Sequence, residues 1–227
     1  MATNEQVLTR RERKQRATRE GLLAAALSLF AERGYERTTM DDIADKADVA
    51  RATAFNYFPR KEEFLLAWAN GRRAVVADLL AREQAGSVDV WDRLRHAFMN
   101  LCDNLERDTV RNKALTRAWF QAGGPLLPGA FATATVFADT LRHAQSRGEL
   151  RPGINVDNAG RVLLDAYLGA LVHWAIDDEQ DPAAPSLREQ LGAILDLVIN
   201  GLSSTRTPDD PPKQIPEAPP AMPQRRR

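Results

Sequence analysis

One cysteine, three histidines and only 7% aromatic residues leave this 227-residue chain short of the groups that most chemistry uses. Cys102 cannot close an intramolecular disulfide and has no second thiol at zinc-ligand spacing, so it reads as a buried, inert thiol. His96, His143 and His173 stand on separate segments with no carboxylate or cysteine at metal-ligand spacing, and no metal site is expected. The acidic run Asp177-Asp178-Glu179 with Asp181 lacks the glycine-turned loop of a calcium site and reads as solvated loop. There is no nucleophile elbow, phosphate-binding glycine loop or redox pair, so neither an enzyme nor a cofactor is expected. Long apolar runs are missing as well. The run at 22–27 is interrupted too soon to cross a bilayer, and the opening Met-Ala-Thr-Asn-Glu-Gln lacks a signal peptide's apolar core. These absences predict a cytoplasmic protein with no membrane partner. No stretch sustains a period-2 alternation, so the expected class is all-α, with about nine helices.

Net charge is zero, with 31 basic and 31 acidic residues, but the basic charge is concentrated near the start. Arg10, Arg11, Arg13, Lys14, Arg16 and Arg19 face Glu12 alone before Glu20. Such a run is either a solvated helix start or an arm that follows phosphates or enters a minor groove. Its position beside the unit described next favours DNA contact. A helix over 20–32 follows, with Leu23, Ala26, Leu27 and Phe30 on its core face and Gly34 as its stop.

The stretch from Thr39 to Lys61 reads as two short helices joined by a tight turn. Met40, Ile43, Ala44 and Ala47 mark one helical face, and Asp42 lies three residues after Thr39 in a capping-box arrangement. Asp48 falls where the turn needs a residue that tolerates positive φ. Val49 turns back into the core. The second helix runs from Ala50 to Phe58, with Phe58 inward and the pairs Arg51/Phe55, Ala52/Asn56 and Thr53/Tyr57 outward. That exposed face offers a guanidinium, a carboxamide, a hydroxyl, a phenol and a bare ring, a mixture suited to base edges, thymine methyls and phosphates. Arg51 suits a bidentate contact to guanine, Asn56 a contact to adenine or backbone, and Ala52 and Phe55 apolar contacts.

At Gly34-Tyr35, Thr38-Thr39, Ile43-Ala44, Ala47, Val49, Thr53, Phe55, Tyr57-Phe58 and Lys61-Glu62, the chain resembles the DNA-binding signature of the TetR/AcrR family of bacterial transcriptional regulators. The match covers about a fifth of the chain, with many spaced positions agreeing at once. It departs at Asp48, where the family usually has Gly, at Ala50, where it usually has Ser, and at Phe55, where it often has Tyr. The resemblance implies phosphate contacts by Thr39, Thr53, Tyr57 and Lys61. It also implies a dimer that binds double-stranded DNA at a palindromic operator.

Beyond Pro59 the sequence predicts a helix over 61–85, broken by Gly86-Ser87, then helices over 88–107, 109–121 and 131–147, and two long ones over 156–176 and 187–202. Residues 208–227 are proline-rich and predicted to be disordered. The domains expected are a basic arm at 1–19, a DNA-binding unit at 20–66, a ligand-binding and dimerisation unit at 67–203 and a tail at 204–227. The last two helices carry broad apolar stripes with small residues Gly160, Gly169 and Ala170. Family resemblance implies that they pair with a second subunit as a four-helix bundle, through 156–202. It also implies a cavity for a small, apolar effector. Trp91, Phe98, Cys102, Trp119, Phe120, Tyr167 and His173 are its candidate lining, with His143, Asn104 and Gln121 as further polar anchors. The functional expectation is a ligand-released repressor. The alternative is an architectural or cell-cycle DNA-binding protein on the same fold without a ligand switch.

Overall fold

The computed structural model describes residues 9–83, 89–127, 129, 132–150, 153–177 and 184–203. Among them are nine α-helices and no strand: α1 (Arg10–Arg33), α2 (Met40–Lys46), α3 (Arg51–Tyr57), α4 (Glu62–Glu83), α5 (Val90–Glu106), α6 (Thr109–Gln121), α7 (Ala132–Ser146), α8 (Val156–Ile176) and α9 (Leu187–Ser203). A short 3-10 turn spans Gly124–Leu126. The tail 204–227, the break at Gly86-Ser87, Phe131 and the acidic residues 178, 179 and 181 lie outside the described residues.

The largest departure from expectation is at the start. Helix α1 begins at Arg10, so the basic residues 10–19 are its exposed first turns and not a separate arm. The reason is a capping box: Thr9 Oγ1 accepts from the Glu12 amide at 3.2 Å, and Glu12 Oε2 accepts from the Thr9 amide at 2.7 Å. Four orphan amides at a helix start need such partners, and two of them are served here. The buried face also shifts, to Leu22, Ala25, Ala26, Leu29 and Phe30, with Leu27 also buried and Leu23 only partly so.

Two hydrophobic cores form. The first joins α1, α2, α3 and the start of α4, where Phe58 stacks on Phe64 at 4.0 Å between ring centroids and Phe30 meets Tyr35 edge-on at 5.3 Å. Leu115, Ala118 and Trp119 of α6 belong to this same core. The second core gathers α4, α5, α7, α8 and α9, with Phe98 against Phe137 at 5.0 Å and against Tyr167 at 5.9 Å. Helix α6 is also fastened to the end of α8. Lys113 Nζ donates to the Asp177 carbonyl at 3.0 Å and Arg117 Nη1 to the Ala175 carbonyl at 2.6 Å. These cations sit where a helix C-terminus leaves carbonyls unpaired and its dipole is negative.

The small residues of α8 divide between two tasks. Gly160 lets α8 approach α7, since a Cβ there would lie 2.5 Å from the Ala134 carbonyl oxygen. Gly169 faces open space. Most of the expected stripe, including Leu163, Tyr167, Ala170, Leu171 and Trp174, is spent inside the subunit. Val162 and Ile176 remain outside at 51% and 68% exposure, as does Leu197 of α9 at 75%.

Candidate DNA-binding surface and effector cavity

Helix α2 starts as its sequence predicts. Thr39 Oγ1 accepts from the Asp42 amide at 3.1 Å, and Asp42 Oδ2 accepts from the Thr39 amide at 2.9 Å. The Thr39 hydroxyl, which also donates to Asp42 Oδ2, and after it the Thr39 amide hold the Asp42 carboxyl below its ordinary range. Lys46 then ties α2 to α1, donating to Glu32 Oε1 at 2.8 Å and to Ser28 Oγ at 2.9 Å. Asp48 takes φ +52°, alone among the described non-glycine residues in the left-handed region. The chain then enters α3 through Ala50, whose φ of −63° and ψ of 143° are those of a cap, but whose methyl group makes no capping bond.

On α3, Arg51, Ala52 and Asn56 are exposed, and Thr53, Phe55 and Tyr57 are half-buried. Ala54 and Phe58 face the core. Arg51 Nη1 donates to Asp41 Oδ2 at 2.8 Å, and its guanidinium lies 5.4 Å from the Phe55 ring centroid. Both partners of that ion pair are more than half exposed. Exchanging so weak a surface pair for a base edge costs little, typically about 0–1 kcal/mol.

The basic start of α1 and the recognition helix meet across a groove of about 390 Å³. Arg11, Lys14, Gln15 and Thr18 line one side, and Val49, Ala50, Thr53 and Tyr57 the other. Two cations opposite a hydroxyl and a phenol make a surface that suits a phosphate backbone. Arg10, Arg13 and Arg16 are not on its wall, and Arg16 is paired with Glu20 at 2.7 Å. Gln15 and Thr18 were missed by sequence reasoning. The Thr9–Glu12 spacing was the signal that could have placed them, because it makes the segment helical.

Two residues expected at phosphates are committed elsewhere. The Thr39 hydroxyl donates to Asp42 Oδ2 at 2.7 Å and its amide is bound to the same carboxylate, so Thr39 acts as the cap of α2. Lys61 Nζ donates to the Tyr35 carbonyl at 2.7 Å and to the Thr38 carbonyl at 3.1 Å, and stands 4.0 Å from the Tyr35 ring centroid. It holds the α1–α2 turn against the start of α4. Sequence position alone did not reveal that these carbonyls lie within its reach.

A cavity of about 70 Å³ lies beside the first core, between α4, α5, α6, α7 and α8. Of the expected lining, Trp119 and Tyr167 are on its wall. The others are not. Phe98 and Cys102 are in the second core, and Trp91 packs against that core. Phe120 stands edge-on to Trp119 at 4.9 Å, and His173 is exposed on α8. The polar anchors His143, Asn104 and Gln121 are exposed as well. Helical periodicity separates buried from exposed faces, but not the buried residues beside a void from those packed against neighbours. Burial pushes the Cys102 thiol up to about 12, leaving it protonated and unreactive at neutral pH. Sequence reasoning missed Arg72, which reaches the cavity wall from α4 with its guanidinium 4.5 Å from the Trp68 ring centroid. The i, i+4 spacing of Trp68 and Arg72 was the available signal.

Comparison with known proteins agrees with this geometry. Residues 22–68 match the family described as bacterial regulatory proteins, tetR family. The chain is 28% identical over 161 residues to the HTH-type transcriptional repressor KstR of Mycobacterium tuberculosis, covering 70% of this chain and 72% of that protein. Among solved structures it superposes on Thermus thermophilus FadR, a TetR-family transcriptional repressor in complex with lauroyl-CoA, with a TM-score of 0.66 and 28% identity over 85% of this chain and 99% of that one. It shares its fold with SmeT, the repressor of the Stenotrophomonas maltophilia multidrug efflux pump SmeDEF, at a TM-score of 0.65 and 24% identity over 89% and 99% of the two chains. SmeT has also been solved with triclosan. A capped α2, a left-handed turn and an exposed α3 give residues 22–68 the DNA-binding domain of the tetR family of bacterial regulatory proteins, set on an all-helical body that shares the fold of FadR.

Proposed function

We propose that the protein is a homodimeric transcriptional repressor that reads a palindromic operator and is released from it by a small effector bound between α4, α6 and α8. Arg51 and Asn56 are the base-reading side chains, and Ala52 and Phe55 add apolar contacts. Arg11, Lys14, Thr53 and Tyr57 hold the phosphates. The outward residues Val162, Gly169 and Ile176 of α8 and Leu197 of α9 support a two-helix face that a second copy covers.

The observation that carries the switch is the double membership of Trp119. It lines the cavity and is packed into the core of the DNA-binding unit. A ligand that displaces it disturbs α6 against α1. Helix α4 also lines the cavity and begins beside the recognition helix. Two recognition helices engage together only when spaced about one DNA turn, roughly 34–36 Å, so a small change at this joint favours a released state. The relatives support the reading: KstR is a repressor, and the FadR and SmeT structures hold lauroyl-CoA and triclosan.

Selection of bound DNA from a random pool, repeated with candidate ligands, tests it. The expected result is one palindromic sequence whose affinity falls when ligand is bound. Enrichment of no sequence refutes the operator reading, and bound ligand with unchanged affinity refutes the switch for that ligand.

A further inference from the structure

The cavity wall carries three buried polar atoms with no hydrogen-bond partner among the described residues: Arg72 Nε, Thr116 Oγ1 and Trp119 Nε1. Thr116 is 1% exposed and Trp119 is 7% exposed, so bulk water does not serve them. Buried polar atoms are nearly always satisfied in folded proteins, and a group of exceptions on one wall marks a place for a polar occupant. Two of the three can only donate, and the threonine hydroxyl can turn its hydrogen either way.

The charge on this wall is also unmatched. Among the described residues Arg72 Nη2 reaches the carboxamide oxygen of Asn112, at 3.4 Å, and no carboxylate, and burial lowers the guanidinium pKa. Tyr167 is the titratable neighbour that acts on it. Burial pushes that phenol up to about 12, so it is neutral at physiological pH and leaves the charge uncancelled. Arg73, the other cation on the wall, gives Nη1 to the Gly129 carbonyl at 2.9 Å.

We propose that Arg72, Thr116 and Trp119 form a headgroup subsite for a carboxylate at the end of an apolar ligand. The proposal rests on the effector reading above and names the class of effector. A carboxylate offers acceptors only, which suits two obligate donors and one hydroxyl, and its charge neutralises Arg72. An alcohol would leave the guanidinium unmatched, and an amine would set a second cation beside it. The hydrocarbon part lies against Leu101, Leu105, Leu164, Leu168 and Leu171. At about 70 Å³ the cavity takes a headgroup and a few carbons, so a longer ligand must widen it. Two of the walls that would yield, α4 and α6, are those joined to the DNA-binding unit.

The test compares octanoate, octan-1-ol and octylamine on the full chain, followed by calorimetry and by the change in tryptophan fluorescence. Octanoate is expected to bind about tenfold or more tighter than octanol, with octylamine weakest. Arg72→Met should abolish the preference for the acid and Thr116→Val should reduce it. Where Arg72→Met does not fold, Arg72→Lys retains the charge, loses the Nε donor, and should weaken the preference without removing it. Equal binding of acid and alcohol by the wild type, an undiminished preference in the Arg72 variants, or binding of none of the three overturns the subsite. Operator release is measured separately. Octanoate that binds without releasing DNA refutes the effector reading and leaves the subsite standing. Release by acid and alcohol alike does the reverse.

Discussion

Ala50 enters α3 in a conformation that serine adopts equally well, yet it gives α3 no side-chain acceptor. Ala50→Ser therefore supplies a missing N-cap and is expected to raise stability by about 0.5–2 kcal/mol, read as a shift in the urea midpoint at constant slope. Arg51 differs because its guanidinium is exposed and already held over the recognition face by Asp41 and Phe55. Arg51→Ala should cost about 1–3 kcal/mol on the selected operator and relax sequence preference, with little change on random DNA. Equal losses on both DNAs would remove Arg51 from base readout. Lys61 is committed to the fold, since two of its three donors are bound to the Tyr35 and Thr38 carbonyls.

Three helices begin with the same device: α1 with Thr9 and Glu12, α2 with Thr39 and Asp42, and α9 with Ser186 and Glu189. In each the acid is held below its ordinary range by bonds to its own cap, led by the Thr9 amide for Glu12, the Thr39 hydroxyl for Asp42 and the Ser186 amide for Glu189. A carboxyl whose folded pKa is depressed contributes stability that is present above its unfolded value, roughly 4, and is lost as pH falls through the lower folded value. Acid titration followed by far-UV circular dichroism should thus show helix loss below about pH 4, and Thr39→Val should flatten the part due to α2. Gly160 gives a prediction of opposite sign to helix propensity. Gly→Ala inside a helix normally stabilises by about 1 kcal/mol, but here the new methyl meets the α7 backbone at Ala134 and Ala138. Gly160→Ala is expected to lower stability, by about 1–3 kcal/mol for an overpacked site, in thermal or urea unfolding.

The recognition unit was legible in the sequence because independent local signals coincide there: a capping pair three residues apart, a tolerant residue at the turn, and helical spacing on both sides. The same logic is present at Thr9 and Glu12, but the charge run beside a DNA-binding unit reads as a separate DNA-contacting arm, and that hides the helix start. The cavity was legible only in part. Trp119 and Tyr167 were found as aromatics, whereas Arg72 was passed over because a charged residue on a long helix is usually a surface residue. Which buried atoms border a void is decided by how five helices meet, and no local pattern encodes that. The outward face of α8 carries the prediction at this scale. Val162→Glu should leave the subunit folded, since Val162 is 51% exposed, and should shift sedimentation toward monomer while reducing operator affinity. An unchanged dimer would move the interface elsewhere.

Leu115, Ala118 and Trp119 complete the core around Leu22, Phe30, Phe58 and Phe64, although they follow it in the chain by about half a hundred residues or more. The DNA-reading unit is therefore not a detachable cassette. Grafting the first 66 residues onto the body of a relative would set α1 against a foreign α6, and each mismatch in volume would be felt directly in the packing of the reader. A chimera that retains specificity has to carry the α6 face along with the head, so the inheritable unit of DNA recognition in this molecule is discontinuous in sequence.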